Sequence, residues 1–106
     1  MDPIRERDVE KALIRAIRKK GGLCLKFVSP GWSGAPDRLC LMPGGQITFV
    51  ELKRPGGKPR PLQLRRAAQL RTLGFPVTVI DSIEAAAQFD TTSKAARFGG
   101  GEDAEA

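Results

Sequence analysis

Residues 43–45 read Pro-Gly-Gly and separate two short apolar runs, 37–42 and 46–52. A break that tight between strand-like runs leaves one arrangement, an antiparallel hairpin. The hairpin then constrains everything around it. Asp37 opens the first run and Glu51 nearly closes the second, so pairing the runs carries both acids to the same end of the ribbon. Their setting makes them conspicuous. Residues 11–80 hold fourteen Lys and Arg and no Asp or Glu besides these two. Where a chain otherwise avoids negative charge, two isolated carboxylates are poor candidates for ordinary solubilising residues.

The remaining segments fit around this hairpin as a mixed α/β domain. Asp2-Pro3 reads as a cap and first turn of a helix that runs to Lys20, with Leu13, Ile14 and Ile17 as its apolar stripe and Val9 and Ala16 flanking. Its acids fall early and its bases late, which suits the helix dipole. Gly21-Gly22 stops it. Residues 23–29 read as a first strand, residues 30–36 as a Gly- and Pro-rich loop, and residues 54–60 as a basic loop. Pro61 opens a second helix ending near Leu73, with Leu62, Ala67, Leu70 and Leu73 able to form its buried side. Residues 76–80, nearly all apolar, predict a strand internal to the sheet. Ser82 caps a short helix reaching Phe89. The order is α-β-β-β-α-β-α, a mixed sheet flanked by helices, in a domain of residues 1–90. Residues 91–106, polar, glycine-rich and acidic at the end, are expected to be a disordered, solubilising tail.

Composition narrows the chemistry. A net charge of +6 and a pI near 9.9 favour a polyanionic partner, nucleic acid before membrane. No apolar run approaches the ~20 residues that span a bilayer. The charged start is unlike a secretory signal, so the expected place of action is the cytoplasm of a bacterial or phage-infected cell. The chain has no His and no Tyr. That removes histidine triads, histidine-metal nucleases and tyrosine nucleophiles. No glycine-rich phosphate loop ends in Gly-Lys-Ser/Thr. Cys24 and Cys40 lie in strand-like runs and read as small core residues in a reducing compartment; a disulfide or zinc role is disfavoured. Carboxylates, lysines and a metal ion remain for hydrolysis.

Those residues suffice for phosphodiester cleavage. The reaction needs a more acidic water and neutralised charge on phosphorus, and Mg²⁺ or Mn²⁺ supplies both. Hard cations take oxygen ligands: Asp37, Glu51 and, at the strand end, the Leu52 backbone carbonyl. Lys53 stands two residues after Glu51, so both side chains share a face of the strand. Its ammonium is placed to orient the water or stabilise the transition state. Glu10 precedes Leu13, Ile14 and Ile17 by three, four and seven positions, so it shares their inward side.

The motif Gly34-Ala35-Pro36-Asp37, then Glu51-Leu52-Lys53, then Gln63 with Leu70 and Gly74, then the Val77-Thr78-Val79-Ile80 strand, resembles the PD-(D/E)XK nuclease superfamily, and within it the virus-type replication-repair nuclease domain, VRR-NUC. The resemblance covers roughly residues 5–89. It implies a restriction-endonuclease-like core, divalent-metal catalysis and DNA as substrate. It implies that the first-helix acid, here Glu10, points to the metal site directly or through water. It also places Gln63 near the site, as a partner for water or a phosphate oxygen. Small standalone viral members look like homodimers acting on branched DNA, so a homodimer and four-way (Holliday) junctions in repair, recombination or replication are expectations here. Arg38 departs from the pattern, which commonly has an apolar residue after the Asp.

The bases fall into two groups. Arg54, Lys58, Arg60, Arg65 and Arg66 follow Lys53 and are placed to hold a nucleic-acid backbone beside the metal. Arg15, Arg18, Lys19, Lys20 and Lys26 form a second group, for another duplex arm. Trp32, in the loop before Asp37, is read as a stacking wedge at a junction or as a hydrophobic anchor. A non-cutting nucleic-acid binder on the same fold, or a ribonuclease, stands as the alternative.

Overall fold

The computed structural model describes residues 2–90, so the expected tail lies outside the described residues. The elements are α1 (Glu6–Lys19), β1 (Leu23–Lys26), β2 (Arg38–Met42), β3 (Gln46–Leu52), α2 (Pro61–Thr72), β4 (Val77–Ile80) and α3 (Ile83–Ala87). This is the α-β-β-β-α-β-α order expected from the sequence.

α1 starts later than Asp2-Pro3 predicts. The Asp8 carboxylate accepts the Arg5 backbone N–H at 2.8 Å, which captures a free donor of the first turn and fixes extended Arg5 as the N-cap. At the other end Gly21 takes φ +83, and Gly21 and Gly22 N–H donate back to the Arg18 and Ile17 carbonyls at 3.0 and 2.9 Å. Gly22 is also needed for space, since a Cβ there would lie 2.5 Å from Met42 Sδ and 2.6 Å from the Leu41 carbonyl oxygen.

The sheet order is β1-β2-β3-β4, antiparallel except for the parallel β3/β4 pair. The hairpin forms as expected, with Leu41 opposite Ile47 and Arg38 opposite Val50. α2 is the crossover between the parallel strands. β4 is therefore an edge strand, where its apolarity predicted an internal one. Val77 and Ile80 are buried on opposite faces and Val79 is exposed, so the apolar run reports covered faces rather than two flanking strands.

One face of the sheet is closed by α1 and α3. Val9, Leu13 and Ile17 meet Cys40, Met42, Val50, Leu52 and Ile80, with Ala86 and Phe89 sealing the side. The opposite face carries a chain of edge-on rings, Phe27–Phe49–Phe75, with centroids 5.3 and 6.3 Å apart. α2 covers that face only in part. Of its expected buried side, Ala67 is buried, Leu70 is half-buried, and Leu62 and Leu73 are exposed. Among the described residues no helix is long and apolar enough to cross a membrane.

Candidate active site

β2 delivers Asp37 and β3 delivers Glu51 and Lys53. The Asp37 N–H donates to the Val50 carbonyl at 3.0 Å, which ties the residue to β3 one step before β2 proper. Its carboxylate Oδ2 then accepts the Leu52 N–H at 2.8 Å. Carbonyls two residues apart on a strand point to the same side. With the Val50 carbonyl on Asp37, the Leu52 carbonyl faces the same flank. The strand's two-residue period also puts Glu51 and Lys53 on the face opposite Val50 and Leu52, and Lys53 Nζ lies 3.4 Å from Glu51 Oε2.

α2 completes the cluster from above that face. Gln63 Nε2 donates to the same Glu51 Oε2, while Gln63 Oε1 accepts the Arg60 backbone N–H at 2.7 Å. The side chain therefore caps the helix with one end and fixes a carboxylate with the other. The loop entering Asp37 is tied to the same helix. Gly34, at φ +85, lies so close that a Cβ would meet Leu62 Cγ at 2.7 Å. Arg66 donates to the Ser33 carbonyl at 2.7 Å and lies 5.0 Å from the Trp32 ring centroid.

Glu51 is only 3 % exposed. Burial, and then the neighbouring Asp37 carboxylate, push its pKa up to about 7, against the opposing pull of Lys53. A buried acid raised by a neighbouring carboxylate stands in a site short of positive charge, and one lysine does not supply enough. The donors are all oxygen: two carboxylates and a strand-end carbonyl. That set suits Mg²⁺ or Mn²⁺, which keep several waters and use few protein ligands. Among the described residues no group of three or more His, Cys, Asp or Glu converges, so waters and backbone oxygen must fill out such a shell.

The structure does not bring Glu10 to this cluster. Arg38 Nη2 and Nε bind Glu10 Oε2 at 2.7 and 3.0 Å on the α1 face of the sheet, and Arg38 Nη1 donates to the Cys24 carbonyl at 3.1 Å. The residue that departed from the motif thus occupies the expected ligand. Glu6, one turn earlier, is the first-helix acid whose charge reaches Glu51 and raises it further. The sequence held a signal for it: Glu6 precedes buried Val9 and Leu13 by three and seven positions, so it extends their stripe.

The bases divide as well. Arg54, Lys58, Arg60 and Arg65 are exposed along the loop and the first turns of α2, beside Lys53. Arg66 is committed to the Trp32 loop, and Trp32 is half-buried against it. Lys26 pairs with Arg38 across β1/β2 and falls on the α1 side of the sheet, away from Glu51.

Two comparisons bear on this geometry. A solved structure described as "VRR_NUC domain" superposes with a TM-score of 0.72 at 39 % identity, covering 76 % of this chain and 88 % of that one. A phage protein named "Putative nuclease p44", from Acyrthosiphon pisum secondary endosymbiont phage 1, is 56 % identical over 79 residues, which are 74 % of this chain and 85 % of the relative. The chain belongs to the VRR-NUC family of nuclease domains. No family model matches it. In this VRR-NUC domain the motif residues Asp37, Glu51, Lys53 and Gln63, dispersed in sequence, stand together on one end of the sheet.

Proposed function

We propose that this VRR-NUC domain is a Mg²⁺- or Mn²⁺-dependent endonuclease that hydrolyses DNA phosphodiester bonds. The carrying observation is the buried Glu51 carboxylate, held at one oxygen by both Gln63 and Lys53 and facing Asp37. Asp37, Glu51 and the Leu52 carbonyl would hold the ion, with Glu6 acting through water. When bound, the ion supplies Lewis-acid polarisation of the phosphate and a more acidic water. The Leu52 N–H steadies Asp37 in one rotamer, and Gln63 does the same for Glu51. Lys53 places its ammonium where negative charge develops on the phosphate, and donates a proton-bearing contact to the water or a phosphate oxygen. Arg54, Lys58, Arg60 and Arg65 clamp the backbone on either side of the scissile bond. Arg66 and Trp32 serve indirectly, by anchoring the loop that ends in Asp37.

Among the described residues the elements form no helix-turn-helix and no zinc-type cluster, so selection by shape fits the domain better than selection by sequence. We extend the proposal to branched DNA, including four-way junctions, cut by a homodimer in the cytoplasm of a bacterial or phage-infected cell. Support for the dimer comes from the sheet face opposite α1, where Leu23, Leu25 and Ile47 are exposed beyond the reach of α2. Support for the setting comes from the phage relative.

The test incubates the protein with supercoiled plasmid, linear duplex, flaps, synthetic four-way junctions and RNA, with Mg²⁺, Mn²⁺ or EDTA. Metal-dependent cutting of DNA, lost in Asp37→Ala and Lys53→Ala, is expected. Binding without cutting of any DNA by the unaltered protein would overturn the proposal. Light scattering after gel filtration reads the dimer separately.

A further inference from the structure

Cys24 and Cys40 stand directly opposite one another on β1 and β2, on the α1 face of the sheet, with their sulfurs 3.9 Å apart. The hydrogen-bond pattern identifies which kind of pair this is. The Phe27 N–H donates to the Asp37 carbonyl, so the Lys26/Arg38 pair lies between ladder bonds, and so does the pair two residues on. Such non-hydrogen-bonded pairs bring Cα atoms to ~4.5 Å, inside the range a disulfide bridges. A small rotation of the two side chains is enough to bring the sulfurs to bonding distance.

The two thiols are also unequal. Cys24 is half-buried on an edge strand, and its sulfur accepts the Cys40 S–H. That contact first, and the Arg38 guanidinium second, lower its pKa against burial and the Glu10 carboxylate; Arg18 adds a further lowering. Cys40 is fully buried, and its role as donor together with burial pushes its thiol far up. One sulfur is poised to react with an outside oxidant and the other to react with the first.

We propose that Cys24 and Cys40 form a redox site that closes to an intramolecular disulfide when a peroxide oxidises the protein. The Cys24 thiolate attacks one peroxide oxygen, the O–O bond breaks, and Cys24 becomes a sulfenic acid as hydroxide leaves and is protonated to water. The Cys40 sulfur then attacks the Cys24 sulfur, the S–O bond breaks, and the Cys40 proton leaves with the hydroxyl as a second water. Two thiols lose two electrons and one peroxide gains them. The new ring closes over residues 25–39, which include the Trp32 loop and Asp37, so the unfolded chain loses freedom and the folded one gains resistance to heat.

The experiment treats the full chain with hydrogen peroxide at pH 8, quenches, and measures intact mass, free thiols and melting temperature without reducing agent. The expected product is monomer-mass, two hydrogens lighter, without free thiol. Trypsin should then release residues 21–26 disulfide-linked to residues 39–53. Melting should rise by roughly 10 °C and return with dithiothreitol. Cys40→Ser should show no rise. A sulfinic or sulfonic acid on Cys24 with Cys40 still a free thiol, or disulfide-linked pairs of chains, would overturn the proposal. So would an internal bridge that leaves melting unchanged or lower. None of these readings depends on nuclease activity.

Discussion

Replacing Glu51 by Gln should make the metal-free protein more stable at alkaline pH, although it removes a residue at the centre of the site. Burial and the Asp37 charge raise the Glu51 pKa from the ordinary 4.5 to about 7. A raised folded-state value means the folded chain holds its proton more tightly than the unfolded chain. Stability is therefore full below pH 4.5, falls as pH rises through that interval, and levels off above about 7. At 1.36 kcal/mol per pH unit the loss is about 3 kcal/mol. The conversion applies because Glu51 is only 3 % exposed. Glutamine keeps the shape and an acceptor for Gln63 but never ionises. Melting followed by circular dichroism in EDTA should find Glu51→Gln equal to the parent at pH 4. At pH 9 the variant should melt roughly 10 °C or more above it. Adding Mn²⁺ at pH 9 should stabilise the parent and not the variant. A difference that is absent at pH 9, or the same size at pH 4 and pH 9, would refute the picture of an acid held in deficit of positive charge.

Further expectations follow from the same contacts. Because a proton competes with the cation for Glu51, Mn²⁺ affinity read by electron paramagnetic resonance should weaken about tenfold per pH unit below 7 and be flat above it. Glu6→Gln should slow plasmid cleavage more than Glu10→Gln does, while Glu10→Gln, which deprives Arg38 of its charge partner, should be the less stable of the two by about 1–3 kcal/mol in urea. Arg66→Ala should red-shift Trp32 fluorescence and expose it to acrylamide, since the guanidinium over the ring and its bond to Ser33 are lost together. Gly22→Ala should cost about 2 kcal/mol in thermal denaturation, because the added methyl meets Met42 and the Leu41 carbonyl.

What could be read in the chain was whatever local rules decide. Pro43-Gly44-Gly45 specifies a hairpin by turn chemistry, and the two-residue period of the strand puts Lys53 beside Glu51, so the centre of the site was legible. The first-helix acid was not. Glu6 and Glu10 both border the buried stripe, and the choice between them is made by Arg38 arriving from β2, a contact across 28 positions. The edge position of β4 and the exposure of Leu62 and Leu73 escaped for a related reason: an apolar residue records an affinity for cover without naming what covers it. The cysteines read as core residues, and Cys40 is one; their facing one another depends on the β1/β2 register, which no local pattern fixes.

Gln63 ties the site to the integrity of α2. One end of its amide closes the first turn of that helix and the other secures the Glu51 carboxylate. Fraying at residues 60–63 would release Glu51 from Gln63 and leave it to Lys53 alone. A copy unravelled there would keep the exposed bases of the neighbouring loop, and so its pull on nucleic acid, while its central carboxylate had lost one of its two anchors.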